Sequence, residues 1–167
     1  MKLVQGLARA ALACALASPV CSAQVSGCDN LDAVPMQFTI GYQAAIQGLF
    51  DSHCIACHAS YIDCDSANDV QSAPAGLDLC PGVSWVNVVN HPSSLNAAYT
   101  RVVPNHPETS LLFHKVNCST PDIGSRMPYS EPELSADEQA LILDWIAGGA
   151  PSGTTDTIFR GEFEPRG

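Results

Sequence analysis

Apolar residues recur with a helical period in three stretches of the chain. Ala44, Ala45, Ile46, Leu49 and Phe50 define one face of a first helix that leads into Cys54. Pro107 suits the first position of a second helix, where its missing N–H is not needed, and Leu111, Leu112 and Val116 then fall on one side. The last helix carries the strongest signal. Ser135 and Glu138 are spaced as a capping box, Leu141, Ile142, Trp145 and Ile146 repeat along one face, and Gly148-Gly149 ends it. Between the first two helices, Tyr61 to Ser94 is rich in Asp, Ser, Asn, Pro and Gly and reads as loop with at most short turns. Strand alternation is almost absent, so the pattern predicts an all-α domain. Its first and last helices are expected to cross and close one side of a pocket, with Trp145 packed at the crossing. Beyond Pro151 the composition predicts a flexible tail, residues 151–167.

The amino-terminal residues follow a different pattern. Lys2 and Arg9 precede the short apolar run Ala10 to Ala17, and Cys21-Ser22-Ala23 offers small residues before Gln24. This is the layout of a signal peptide over residues 1–23, which predicts export to the periplasm or another extracytoplasmic space and a mature domain over 24–150. The run is too short to span a bilayer, and no later segment is long and apolar enough to try. A second processing route is open, because Val25-Ser26-Gly27-Cys28 has the residue types of a lipoprotein site, with a lipid anchor on Cys28.

Chemistry concentrates in Cys54-Ile55-Ala56-Cys57-His58. Two thiols at this spacing can add across the two vinyl groups of one porphyrin, and the adjoining histidine can reach the iron from the same side, so the pentapeptide reads as the attachment sequence for one covalent haem c. A zinc site would need a second pair at comparable spacing, yet Cys64, Cys80 and Cys118 stand singly. A thioredoxin-like dithiol would sit beside alternating strands and helices, which this chain does not show.

Removing residues 1–23 leaves six of the eight cysteines. With Cys54 and Cys57 on the haem, Cys28, Cys64, Cys80 and Cys118 remain, an even number that favours two disulfides in an oxidising compartment. Three pairings are possible, and Cys64 with Cys80 and Cys28 with Cys118 is preferred. All seventeen acids lie beyond residue 23 with only five bases, Arg101, Lys115, Arg126, Arg160 and Arg166, a net charge of −12. That balance argues against nucleic acid and fits a partner with a basic patch.

An electron carrier needs a second axial ligand opposite His58. Met36 and Met127 are the thioethers of the mature chain, and Met127 lies in the polar, Pro-bounded loop Gly124 to Pro128, between the second and last helices. A core methionine belongs on a helical face, so this one is the candidate ligand. Competing histidines are His53, inside the attachment segment, His114, on the second helix, and His91 and His106, each followed by proline in a loop.

From about Gln43 to Ala150 the chain resembles the single-haem c-type cytochromes of class I type, in their bacterial variant with a long loop after the attachment sequence. The resemblance is carried by Phe50 before Cys54-Ile55-Ala56-Cys57-His58, then Ala75-Gly76-Leu77-Asp78-Leu79, Val103-Pro104 with Pro107-Glu108-Thr109-Ser110-Leu111, Met127-Pro128, Leu134-Ser135, and Trp145 to Ala150. It implies a small cytochrome c-like helical domain wrapped around one haem, with Cys54 and Cys57 holding the ring, His58 and Met127 on the iron, and single electrons passed between redox proteins. Asn105 departs from the glycine usual after that proline, but Asn tolerates a left-handed backbone. Cys64, Cys80 and Cys118 are further departures and predict stapled loops. Two alternatives stay open: a haem enzyme or gas-binding protein with an open sixth site, and a haem subunit of a larger dehydrogenase or oxidase.

Overall fold

The computed structural model describes residues 27–60, 64 and 73–153. The expected signal peptide and residues 154–167 of the expected tail lie outside this range. The described residues are mostly helix and loop, with three isolated bridges and no sheet.

A π-helical turn, Tyr42–Ile46, runs straight into α1, Gln47–His53, and Cys54 caps its end by donating to the Phe50 carbonyl. Cys54-Ile55-Ala56-Cys57-His58 therefore follows a first helix, as the periodicity predicts. Ile46 and Phe50, one turn apart, have no exposed surface. α3, Leu111–Asn117, is shorter than the sequence suggests. Pro107 opens only a single 3-10 turn, Pro107–Thr109, and Ser110 breaks the run with φ −89° and ψ 112°. The Ser110 side chain explains the break: its hydroxyl donates to the His106 carbonyl and accepts from the Val103 N–H, bonds that compete with a continuing helix. The region read as loop contains a short helix, α2, Ser84–Val88, five residues that are too few to show a period.

α4, Ala136–Ala147, matches its prediction, with a complete capping box between Ser135 and Glu138 and Gly148 at the carboxyl end. Such a cap contributes about 1 kcal/mol. Burial works against the Glu138 charge, but the Ser135 hydroxyl, the Ser135 backbone N–H and His53 together hold its carboxyl below the usual range. The box therefore stabilises at neutral pH and weakens as acid takes the pH down through that depressed value.

α4 packs against the π-helical turn and against α3. The Trp145 and Tyr42 ring centroids are 5.5 Å apart and tilted by 42°. The expected crossing is present, but this pair of elements builds the core, with Phe50, Ile142 and Ile146, and does not wall the cavity described below. A buried polar cluster ties the layers together. Tyr42 Oη lies 2.6 Å from Ser84 Oγ, which donates to Gln47 Oε1, and Gln47 Nε2 donates to the Leu79 carbonyl. Burial pushes the Tyr42 phenol up to about 12, so it remains a neutral donor.

Two disulfides are formed, Cys28–Cys118 and Cys64–Cys80, the preferred pairing. Because the Cys28 sulfur is bonded to Cys118, it is not free to carry lipid, and the lipoprotein route is corrected accordingly. No helix of the described residues is long and apolar enough to cross a membrane. The domain also runs past the expected boundary at 150. Pro151 accepts from Trp145 Nε1 at 3.0 Å, and Gly153 accepts from the Tyr42 N–H at 3.3 Å.

Candidate functional site

Behind the α1 terminus lies a cavity of about 360 Å³. Its walls come from the segment that follows α1 (Cys54, His58), the 74–79 segment (Pro74, Leu77, Leu79), α2 (Val88), α3 (Leu111, Leu112, Lys115, Val116) and the loop carrying Met127. Leu95 and Tyr129 reach the walls while remaining exposed, so they mark its rim. The lining is dominated by apolar carbon, which suits a large flat apolar ligand better than a small polar substrate.

The segment Cys54–His58 is a tight continuation of α1. Cys57 and His58 both donate their N–H to the Cys54 carbonyl, at 3.1 and 2.8 Å, and the His58 carbonyl accepts from Leu79 at 2.8 Å. These bonds turn the His58 ring to the cavity wall. Its Nδ1 is sealed from solvent and makes no hydrogen bond of good geometry. Burial lowers the imidazole from its ordinary value, outweighing the Pro74 and Leu77 backbone, which favours the protonated ring; Arg101 and Lys115 push the same way as burial. The ring is therefore neutral at neutral pH, the form able to donate a lone pair.

Cys54 and Cys57 are unbonded, and they differ in setting. Cys54 lines the cavity, and burial, helped by Cys57, pushes its thiol up to about 12. Cys57 is exposed and does not line the cavity. Since the thiolate is the nucleophile, iodoacetamide at pH 8 should alkylate Cys57 first in chain carrying no ligand, with Cys54 at least about tenfold slower. Peptide mapping of a time course measures this, and equal rates would contradict the buried placement of Cys54.

Met127 stands on the same cavity wall although it is 69 positions from His58. Its N–H donates to the Lys115 carbonyl at 2.6 Å, and Lys115 Nζ donates to the Ser125 carbonyl at 3.0 Å, so α3 holds the loop from inside. Gly124 is required there: its φ is +68°, and a Cβ would meet Lys115 Nζ at 2.7 Å. The Met127–Pro128 peptide is cis.

None of the competing side chains reaches the cavity. His53 Nε2 lies 2.8 Å from Glu138, His106 Nδ1 2.9 Å from Glu108, and His114 Nδ1 is bonded to Asp122. His91 Nδ1 lies 2.9 Å from its neighbouring Pro92 carbonyl. Met36 is likewise absent from the walls. Among the described residues no group of three or more His, Cys, Asp or Glu is placed to hold a metal ion.

Two wall residues were not anticipated, Arg101 and Lys115. Arg101 is 5% exposed, and its guanidinium donates to the carbonyls of Asn87, Ala75 and Gly76 and to Ser94 Oγ. Among the described residues no carboxylate pairs with either, and burial lowers the pKa of both. Their scarcity was the available signal, because two of the five bases beyond residue 23 face this cavity. Comparison with protein-family models, with curated proteins and with solved structures finds no match.

Proposed function

We propose that this chain is an exported single-haem electron carrier of the c type, with haem c joined through Cys54 and Cys57 and the iron held between His58 and Met127. The observation that carries the reading is the meeting of His58 and Met127 on one apolar cavity that no other described histidine or methionine lines.

The residues present fit such a group. His58 seals its Nδ1 inside the protein, which leaves Nε2 as the nitrogen to face an iron. Cys54 borders the cavity, and Cys57, one turn further, is the thiol reached from solvent. Arg101 and Lys115 give an otherwise apolar wall two positive charges, matching a macrocycle that carries two carboxylates.

When bound, haem supplies a one-electron couple at its iron, with a potential set by axial ligands, burial and nearby charge. The chain supplies the rest. His58 and Met127 would hold the iron from the cavity wall that they share. Leu77, Leu79, Val88, Leu111 and Val116 exclude water, and the cations Arg101 and Lys115 favour the electron-rich state. The disulfides fit export to an oxidising compartment, and the acidic balance fits a redox partner with a basic docking patch.

Expression with its leader in a host competent to attach haem tests the reading. Intact mass should show one added haem that survives denaturation, and the ferric spectrum should be low-spin with a weak sulfur-to-iron band at the red end of the visible range. No haem increment would refute the proposal. A high-spin ferric spectrum would redirect it to a haem enzyme with an open sixth site.

A further inference from the structure

The Met127 loop is also gripped from outside, by a segment remote in sequence. Arg126 places Nη2 2.5 Å from Asp29 Oδ2 and Nη1 3.4 Å from Glu133 Oε1, with 12% of its side chain exposed. Its Nε is buried without a partner, so its charge is balanced entirely through the two Nη atoms. Asp29 offers the closer anion and the firmer one. Its N–H donates to the Asn117 carbonyl, its own carbonyl accepts from Asn117 Nδ2 at 3.0 Å, and its carboxylate accepts from Gln139 Nε2 at 2.9 Å. The neighbouring Cys28 is bonded to Cys118, immediately after Asn117. Asp29 is thus fixed to the end of α3 and to α4, and Arg126 is fixed to Asp29.

We propose that Asp29 and Arg126 are a positioning pair for the Met127 sulfur, an inference that rests on the haem-carrier reading above. Contacts to Lys115 hold the loop on its inner side only, through residues 125 and 127. Without Asp29, the buried guanidinium would lose its main counter-charge, and the relief is to swing outward to water. Arg126 is joined to Met127 by a peptide bond, so that movement draws the thioether away from the iron. Neither residue lines the cavity, so the pair would act through Met127 alone.

The test uses haem-loaded protein and compares wild type with Asp29→Asn, Arg126→Gln, the double variant and Arg126→Lys. Two quantities are read, the ferric sulfur-to-iron band and the affinity for azide, which competes for the sixth position. The single variants should weaken the band and bind azide about tenfold more tightly, the size expected for losing a hydrogen bond between charged groups. The double variant should be no worse than either single one, and Arg126→Lys should recover part of the band. A folded Asp29→Asn protein with wild-type band and azide affinity overturns the proposal. Should Asp29→Asn fail to fold, equal bands in Arg126→Gln and Arg126→Lys overturn it instead. A wild-type protein with haem but no sulfur band removes the Met127 reading and this inference with it, whereas a normal wild-type band that persists in the variants sinks the positioning pair alone.

Discussion

Alanine at position 58 should yield a chain with no low-spin haem spectrum and a much less stable fold. His58 is the imidazole on the cavity wall, and His53, His91, His106 and His114 are held elsewhere by their own partners. No described histidine stands by to replace it. Loss of a merely supporting contact costs a metal site about 10- to 100-fold in affinity or activity, so loss of the ligand itself should exceed that. The two thiols remain, and some haem can still be attached. On the proposed reading, a haem attached without His58 on its iron would be held less firmly against α3 and the 74–79 segment, which line the cavity, and the fold would lose that support. Spectra and urea unfolding of the purified variant check both halves. A low-spin product of wild-type stability would refute the assignment of His58.

Met127→Ala is the second large effect, and it should separate ligation from attachment. On the haem-carrier reading proposed above, the haem should stay covalently bound, since Cys54 and Cys57 are untouched, and the fold should stay largely intact, since Met127 is only partly buried at the edge of the core. The sulfur-to-iron band should vanish and the ferric iron should bind azide readily. A thioether favours ferrous iron, so its removal lowers the potential. Axial ligation commands a span of about 0.8 V, and a fall of at least about 0.1 V is expected. Redox titration with optical detection measures it. An unchanged spectrum and potential would show that the sulfur is not a ligand.

Much of this arrangement was legible in the sequence because it is written in short-range signals. The capping box of α4, the helix before Cys54, and the positive φ of Asn105 at 65° all follow from local residue chemistry. The placement of Met127 in a loop after α3 was readable from its polar, Pro-bounded setting. The parts that escaped depend on contacts between distant residues. α2 is a helix because Ser84 and Val88 are buried against other elements, and five residues carry no visible period. Pro107 could not start a long helix because Ser110, three residues on, bonds back to His106. The recruitment of Arg101 to the cavity depends on three backbone carbonyls brought together by loops, and the clasp of Asp29 on Arg126 joins positions 97 apart. Neither leaves a pattern along the chain.

One consequence of the cation placement concerns encounters at long range. Arg101 and Lys115 face the cavity, and Arg126 is clamped to Asp29. Every Lys and Arg side chain among the described residues is therefore turned inward, while eight of the eleven described acids are exposed. A surface of one sign projects its field about 30 Å at 0.01 M salt but only about 10 Å at 0.1 M. If the chain carries electrons as proposed, exchange with a cationic acceptor should slow steeply as salt is added, and exchange with an anionic acceptor should quicken. Rates indifferent to ionic strength for both would mean that the protein meets its partners through a patch where these charges cancel.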